Sequence, residues 1–217
     1  ANRLERFAAG EYDLILLPIN SFLQHGQKHR YPGVITAAVC ESKGADGIVA
    51  FSDKVPGGQV NGLDNNRLRF VLTPDSPSSF LLDLTIADFD LQSLRSAPPG
   101  WMVPADGSAD VLKKLIKSEG DVFILWEPDL SKALEKPGVR YLWGSDKFSG
   151  YIVDVFVFQR NLISKKPELA ERFLDAYFRT LTLYAGNRER MIGEMSKSTG
   201  IKEKNIAGML EKINWFS

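Results

Sequence analysis

Short apolar runs, each too brief to make a helix of its own, alternate along this chain with longer segments whose apolar residues recur at helical spacing. That alternation limits the fold more than anything else, because runs of about five apolar residues between turn residues read as buried strands of a sheet covered on both faces. Asp13-Leu-Ile-Leu-Leu17, closed by Pro18, is the first such run, and its length predicts a buried parallel strand. Val34 to Cys40 and Gly47 to Phe51 are two more. Glu41 to Asp46 is then a tight polar turn between them, from which ligand groups would project. Asp121 to Trp126 is a fourth, followed by Glu127-Pro128 opening a helix, since proline suits the first helical turn. The pattern predicts an α/β protein.

The intervening segments fit. Arg67 to Leu72 is a strand candidate that runs into the hydroxyl-rich turn Thr73-Pro-Asp-Ser-Pro-Ser-Ser79 and then into Phe80 to Ala87 with helical spacing. Trp101-Met-Val103 is short and extended, Asp106-Gly-Ser108 offers a cap, and Val111, Leu112, Leu115 and Ile116 recur as one helix face. Val139 to Trp143 reads as a strand. Tyr151 to Phe158 alternates apolar residues around Asp154, as a connection returning to an earlier lobe would. The last third is helical: Lys166-Pro167-Glu168 starts a helix with Leu169, Phe173, Tyr177, Leu181 and Tyr184 on one face, and Arg188 to Lys197 and Lys202 to Lys212 continue the pattern. Between Ser52 and Asn66 the composition turns to Gly, Pro, Asn and Asp, and a lobe boundary is placed there.

At 217 residues, with 44% hydrophobic and 25% charged residues, the chain has room for one large domain or two lobes. Twenty-seven basic residues balance 27 acidic ones. No cationic excess is left for phosphate backbones or anionic lipid, which argues against a nucleic-acid partner. One cysteine, Cys40, cannot form an internal disulfide or a four-cysteine zinc site. His25 and His29 are four apart but sit among Gly, Gln, Lys and Arg, as in a solvated loop, so no metal site is expected. There is no Gly-x-Ser-x-Gly elbow, no glycine-rich phosphate loop and no evident histidine partner for Cys40, so neither a catalytic residue nor a cofactor is expected. No apolar run approaches the roughly 18 residues of a membrane span. Both ends read as cut: the opening residues to Gly10 look like the back half of an amphipathic helix, and Asn214-Trp-Phe-Ser217 is bulky and apolar.

Six strings stand in order along nearly the whole chain: Ala9-Gly-Glu-Tyr-Asp-Leu-Ile15, Ser42-Lys-Gly-Ala-Asp-Gly-Ile-Val-Ala50, Ser76-Pro-Ser-Ser-Phe-Leu-Leu82, Trp126-Glu-Pro128, Ile152-Val-Asp-Val-Phe-Val157 and Lys166-Pro-Glu-Leu169. Together they resemble the periplasmic substrate-binding proteins of ABC importers, in the branch that binds nitrate, sulfonates, taurine and thiamine precursors. The resemblance implies a type II periplasmic-binding-protein fold of two α/β lobes, each a mainly parallel sheet flanked by helices, joined by two crossing strands with a small ligand clamped in the cleft. Residues 1–53 with 152–217 would form one lobe and 54–151 the other. Members usually begin with a strand and helix that contribute a ligand loop and end with a further segment, both absent here. The implied partners are a small polar or anionic solute and a membrane permease, for a monomer in the periplasm or outside the cell; any anchor would lie in a segment outside these residues. Two other readings of the same scaffold stay open: a ligand-sensing or envelope module, and a pyrimidine-biosynthesis type of enzyme, which would need a histidine or cysteine cluster.

The candidate ligand-binding residues each carry a structural alternative. Ser76, Ser78 and Ser79 form a hydroxyl-lined helix start suited to an anion, or they cap the helix. Trp126 offers a flat wall and Glu127 an acceptor at a strand end, where open α/β sheets bind ligands, or they serve the core and the next helix. Asn20 and Ser21 follow a strand and either bond a ligand or cap. Glu41 and Ser42 either face a ligand or belong to the turn that Asp46 satisfies. Asp154, a carboxylate in an apolar strand, needs partners wherever it lies.

Overall fold

The computed structural model describes residues 2–216. In chain order its elements are α1 (Asn2–Ala8), β1 (Leu14–Pro18), α2 (Ile19–Gly26), β2 (Gly33–Ser42), β3 (Asp46–Phe51), β4 (Phe70–Leu72), α3 (Pro77–Asp88), α4 (Gln92–Arg95), β5 (Met102–Pro104), α5 (Ser108–Ile116), β6 (Val122–Trp126), α6 (Asp129–Leu134), β7 (Val139–Gly144), β8 (Val153–Gln159), α7 (Arg160–Lys165), α8 (Pro167–Ala185), α9 (Arg188–Thr199), α10 (Glu203–Leu210) and β9 (Ile213–Trp215). The chain divides into two compact units, Ala1–Glu41 with Val153–Ser217, and Ser42–Ile152. Ala1 and Ser217, the outer limits of the expected first lobe, lie outside the described residues.

The first unit holds a sheet of order β1-β8-β2-β9. Both β1 and β2 pair antiparallel with β8, Leu16 opposite Phe156 and Val34 opposite Phe158. The first apolar run is therefore not a parallel strand against its direct neighbour, because β8 re-enters the unit from the end at which β1 and β2 leave. Alternation along β8 builds both cores. Val155 and Val157 pack with Phe7, Ile15, Leu17 and Phe22 on one face, and Phe156 and Phe158 pack with Val39 and Ala170 on the other. The long helix α8 seats Phe173 and Tyr177 edge-on against Phe156, at 5.1 and 4.8 Å between ring centroids.

The second unit holds a sheet of order β5-β4-β6-β3-β7. β4 is parallel to β5 and β6, and β3 runs antiparallel between β6 and β7. Here β6 is the central strand, and its uniform apolarity has a use on each face. Val122 and Ile124 join the α3 side with Leu81 and Leu82, while Phe123 and Leu125 join the α5 and α6 side with Val111, Leu115 and Leu130. Each such side chain contributes about 1.5–3 kcal/mol by leaving water. Because β3 pairs with β6 and β7, it belongs to the second unit, and the chain crosses between units after Glu41 rather than near residue 53. The Gly- and Pro-rich stretch after Ser52 instead lies within the second unit, where buried Val55, Val60 and Leu63 fix it to the core.

Candidate functional site

Strand direction gathers the site. Leu72 and Trp126 are the last residues of the parallel strands β4 and β6. The reversed strand β3 begins at Asp46, opposite Trp126, and β7 ends at Gly144, opposite Gly47. Four connections thus leave one edge of the second unit's sheet: Thr73–Ser76 into α3, Glu127–Pro128 into α6, the turn Ser42–Ala45, and the loop beginning at Ser145. That edge brings Ser42, Ser76, Ser78, Ser79, Trp126 and Glu127 together.

The first turn of α3 divides its hydroxyls between two roles. Ser76 is the N-cap: its Oγ accepts from the Ser78 amide at 3.1 Å and donates to the Thr73 carbonyl at 2.7 Å, while Ser79 Oγ accepts from the Ser76 amide at 3.0 Å. This reciprocal capping box satisfies amides that the helix leaves orphaned. Ser78 is different, being fully buried with an Oγ that has no partner, and Thr73 Oγ1 is likewise buried and unpaired. An unpaired buried hydroxyl costs on the order of 1–3 kcal/mol, which a hydrogen-bonding visitor would recover.

Trp126 is half-buried, and its backbone is pinned at both ends by one side chain, Ser108 Oγ, which accepts from the Trp126 amide at 3.1 Å and donates to its carbonyl at 3.0 Å. Ser108 therefore fixes the strand end instead of capping α5, whose N-cap is Gly107. Glu127 accepts from the amide of Ser131 at 3.2 Å and its hydroxyl at 2.8 Å, so its carboxylate serves the start of α6.

Ser145, which nothing in its local sequence marks, is the hub of the edge. Buried at 1% exposure, its Oγ lies 2.7 Å from Ser42 Oγ, accepts from the Gly44 amide at 2.8 Å and lies 3.2 Å from the Asp46 amide. A Cβ on neighbouring Gly144 would fall 2.5 Å from the Asp46 carbonyl, so only glycine lets β7 and the turn approach this closely. Next to the hub, Tyr141 donates to Asp146 at 2.7 Å, and burial pushes the phenol's pKa well above its usual value. Burial also raises the Asp146 carboxyl, but hydrogen bonds from Lys147 and Tyr141 outweigh it and hold its pKa below the ordinary carboxylate range.

The first unit places its own candidates at one edge of its sheet, where Pro18 and Cys40 both stand opposite Asp154 and Glu41 stands opposite Val153. α2 has no side-chain cap, so neither Asn20 nor Ser21 plays the capping part; the Asn20 amide has Oδ1 and Nδ2 both buried and unpaired. Glu41 is buried and accepts from Asn214 Nδ2 at 2.9 Å, a partner from the last strand that sequence distance hid. Cys40 Sγ lies 3.9 Å from Asp154 Oδ2, and burial raises the Asp154 carboxyl pKa more than Cys40 and Arg3 lower it.

A cavity of ≈ 330 Å³ in the first unit opens at the opposite sheet edge, beside Asp13, Gln159, Asn161 and Lys165, and none of the expected site residues lines it. His25 closes α2 and His29 lies in the short 3-10 turn after it, so the pair is helical and not a loop. No group of three or more potential metal ligands occurs among the described residues. Among those residues, too, no helix is long and apolar enough to cross a membrane.

This arrangement of two α/β units, each a sheet flanked by helices with loops gathered at one sheet edge, is the fold of the type II periplasmic binding proteins. The chain is similar to the periplasmic aliphatic sulphonate binding protein SsuA of Escherichia coli, with a TM-score of 0.77 and 20% identity over 99% of this chain and 68% of that one. The alkanesulfonate-binding protein SsuA of Xanthomonas axonopodis pv. citri, bound to MOPS, gives 0.77 and 15% over 99% and 72%. A Candida albicans gene product with the generic periplasmic binding protein fold gives 0.69 and 11% over 99% and 68%. The sequence matches no protein-family model and no curated protein sequence.

Proposed function

We propose that this chain is a solute-binding component of an ABC importer, which captures a small polar or anionic molecule outside the cytoplasmic membrane, presents it to a permease and performs no chemistry. The observation that carries this reading is the edge of the second unit, where the hydroxyl-lined start of α3, with Ser78 Oγ and Thr73 Oγ1 buried and unpaired, meets the strand end at Trp126. A helix start offers oriented dipoles to an anion without a full opposing charge. Affinity comes from hydrogen bonds in a water-poor site, and selectivity from the cost of each polar group left unpaired. The fold supports the reading because the sulfonate-binding proteins it resembles are named for that activity.

Taken by itself, the first unit offers Asn20 and Ser21 as its own proposed solute-facing groups, on the observation that the Asn20 amide is buried and unpaired. In the second unit, Ser42, Ser76, Ser79 and Glu127 hold the backbone around the ligand through the bonds described above, and Trp126 supplies the wall. Isothermal titration of the folded chain with methanesulfonate, taurine, nitrate and an aminopyrimidine tests the function. Saturable binding of at least one is expected; silence across the panel overturns the reading.

A further inference from the structure

We propose that Phe80 and Tyr151 form the specificity-determining surface of this site, and that the solute it selects carries a planar ring beside its polar head. The inference rests on the solute-binding function proposed above and names the substrate class for it. Phe80 is the residue after the capping box of α3, and Tyr151 stands in the loop that begins at the Ser145 hub, so both residues stand on connections that leave the edge holding the unpaired hydroxyls. Their centroids are 6.5 Å apart with planes tilted by only 36°, a shelf rather than the edge-to-face lock seen elsewhere in the unit.

The shelf is rigidly backed. Tyr151 meets Phe148 at 6.1 Å and 67°, Phe148 meets Trp143 at 6.4 Å and 73°, and Trp143 meets Phe89 at 4.8 Å and 89°, a chain of edge-on contacts that runs into the core. Its outer end is open: Tyr151 is 51% exposed although buried Phe148 and Ile152 stand three residues before it and one after. A bare inorganic anion would leave this apolar surface in water, whereas a ring attached to an anionic head covers it while the head reaches the α3 turn. Aromatic contacts add to simple area burial, so a flat ring gains over an aliphatic one of the same size.

The test is calorimetric titration of the intact 217-residue chain with methanesulfonate, cyclohexanesulfonate and benzenesulfonate. Benzenesulfonate is expected to bind roughly tenfold more tightly than methanesulfonate and about threefold more tightly than cyclohexanesulfonate. Tyr151→Ala, at a half-exposed position that should not disturb folding, is expected to erase the preference among the three probes; Tyr151→Phe retains it, and Phe80→Leu reduces it. Equal affinity for the three probes, a cyclohexyl compound that matches the phenyl one, or a preference that survives Tyr151→Ala overturns the proposal and leaves solute binding standing. Failure of all three probes, together with silence across the wider panel, overturns the binding function itself and the proposal with it.

Discussion

Replacing Ser145 by alanine removes one oxygen and disconnects the turn that shapes the site. That oxygen is 2.8 Å from the Gly44 amide, 2.7 Å from Ser42 Oγ, and within 3.3 Å of both the amide and the carbonyl of Asp46. A typical intramolecular hydrogen bond is worth about 1 kcal/mol net. The two short contacts count fully, and the longer ones count for less because Ser42 Oγ also reaches the Asp46 amide at 3.2 Å. The loss should be about 2–3 kcal/mol, or a fall in Tm of about 5–10 °C for a chain of this size. Urea unfolding followed by tryptophan fluorescence reads it, since Trp101, Trp126 and Trp143 all report on the second unit. Ser42→Ala should cost about 1 kcal/mol, and the double variant less than the sum by about 1 kcal/mol, because the pair is in direct contact. A Ser145→Ala change below about 0.5 kcal/mol, or strict additivity with Ser42→Ala, would refute the hub.

Four further substitutions have defined outcomes. Gly44 sits in that turn at φ 105, outside the range L side chains favour, so Gly44→Ala should destabilise by about 1 kcal/mol or more and weaken solute binding, read by urea unfolding and by titration. Ser76→Ala removes the N-cap of α3 and should cost about 1 kcal/mol; Ser78→Ala, which loses only an unpaired hydroxyl, should cost no stability but should weaken binding. Burial raises the Asp154 carboxyl pKa above its usual 3.8, so its ionised form is disfavoured in the folded chain, and the stability this group contributes is complete at low pH and lost as pH rises through the folded value. Asp154→Asn should therefore be more stable than the parent at pH 7, with the advantage shrinking as pH falls toward 3; an advantage that grows on acidification would contradict the assignment.

Local pattern made the elements legible in the sequence. Asp121 to Trp126 had to be a strand covered on both faces, and β6 is, with Ile124 and Phe123 turned to opposite cores. Thr73 to Ser79 announced a helix start, and the capping reading holds for Ser76 and Ser79, which form the capping box and leave Ser78 with a buried, unpaired hydroxyl. Pairing was harder to read. The run at residues 13–17 looks the same whether its neighbour is parallel or antiparallel, and only the return of β8 from the other unit decides it. The boundary after Glu41 depends on which strands β3 joins, a long-range choice that the glycine- and proline-rich stretch after Ser52 does not encode. Ser145 and Asn214 lie 103 and 173 residues from the groups they bond, and nothing local to a serine or an asparagine marks such a partnership.

The claim on which the rest depends is that a small solute is held at the loop edge of the second unit's sheet. Amide-resolved hydrogen exchange, measured with and without saturating benzenesulfonate, tests it directly. Added protection is expected at Ser42–Asp46, Ser76–Phe80 and the residues after Trp126; protection confined to the far cavity near Asp13 and Lys165, or none anywhere, would contradict solute binding at this edge.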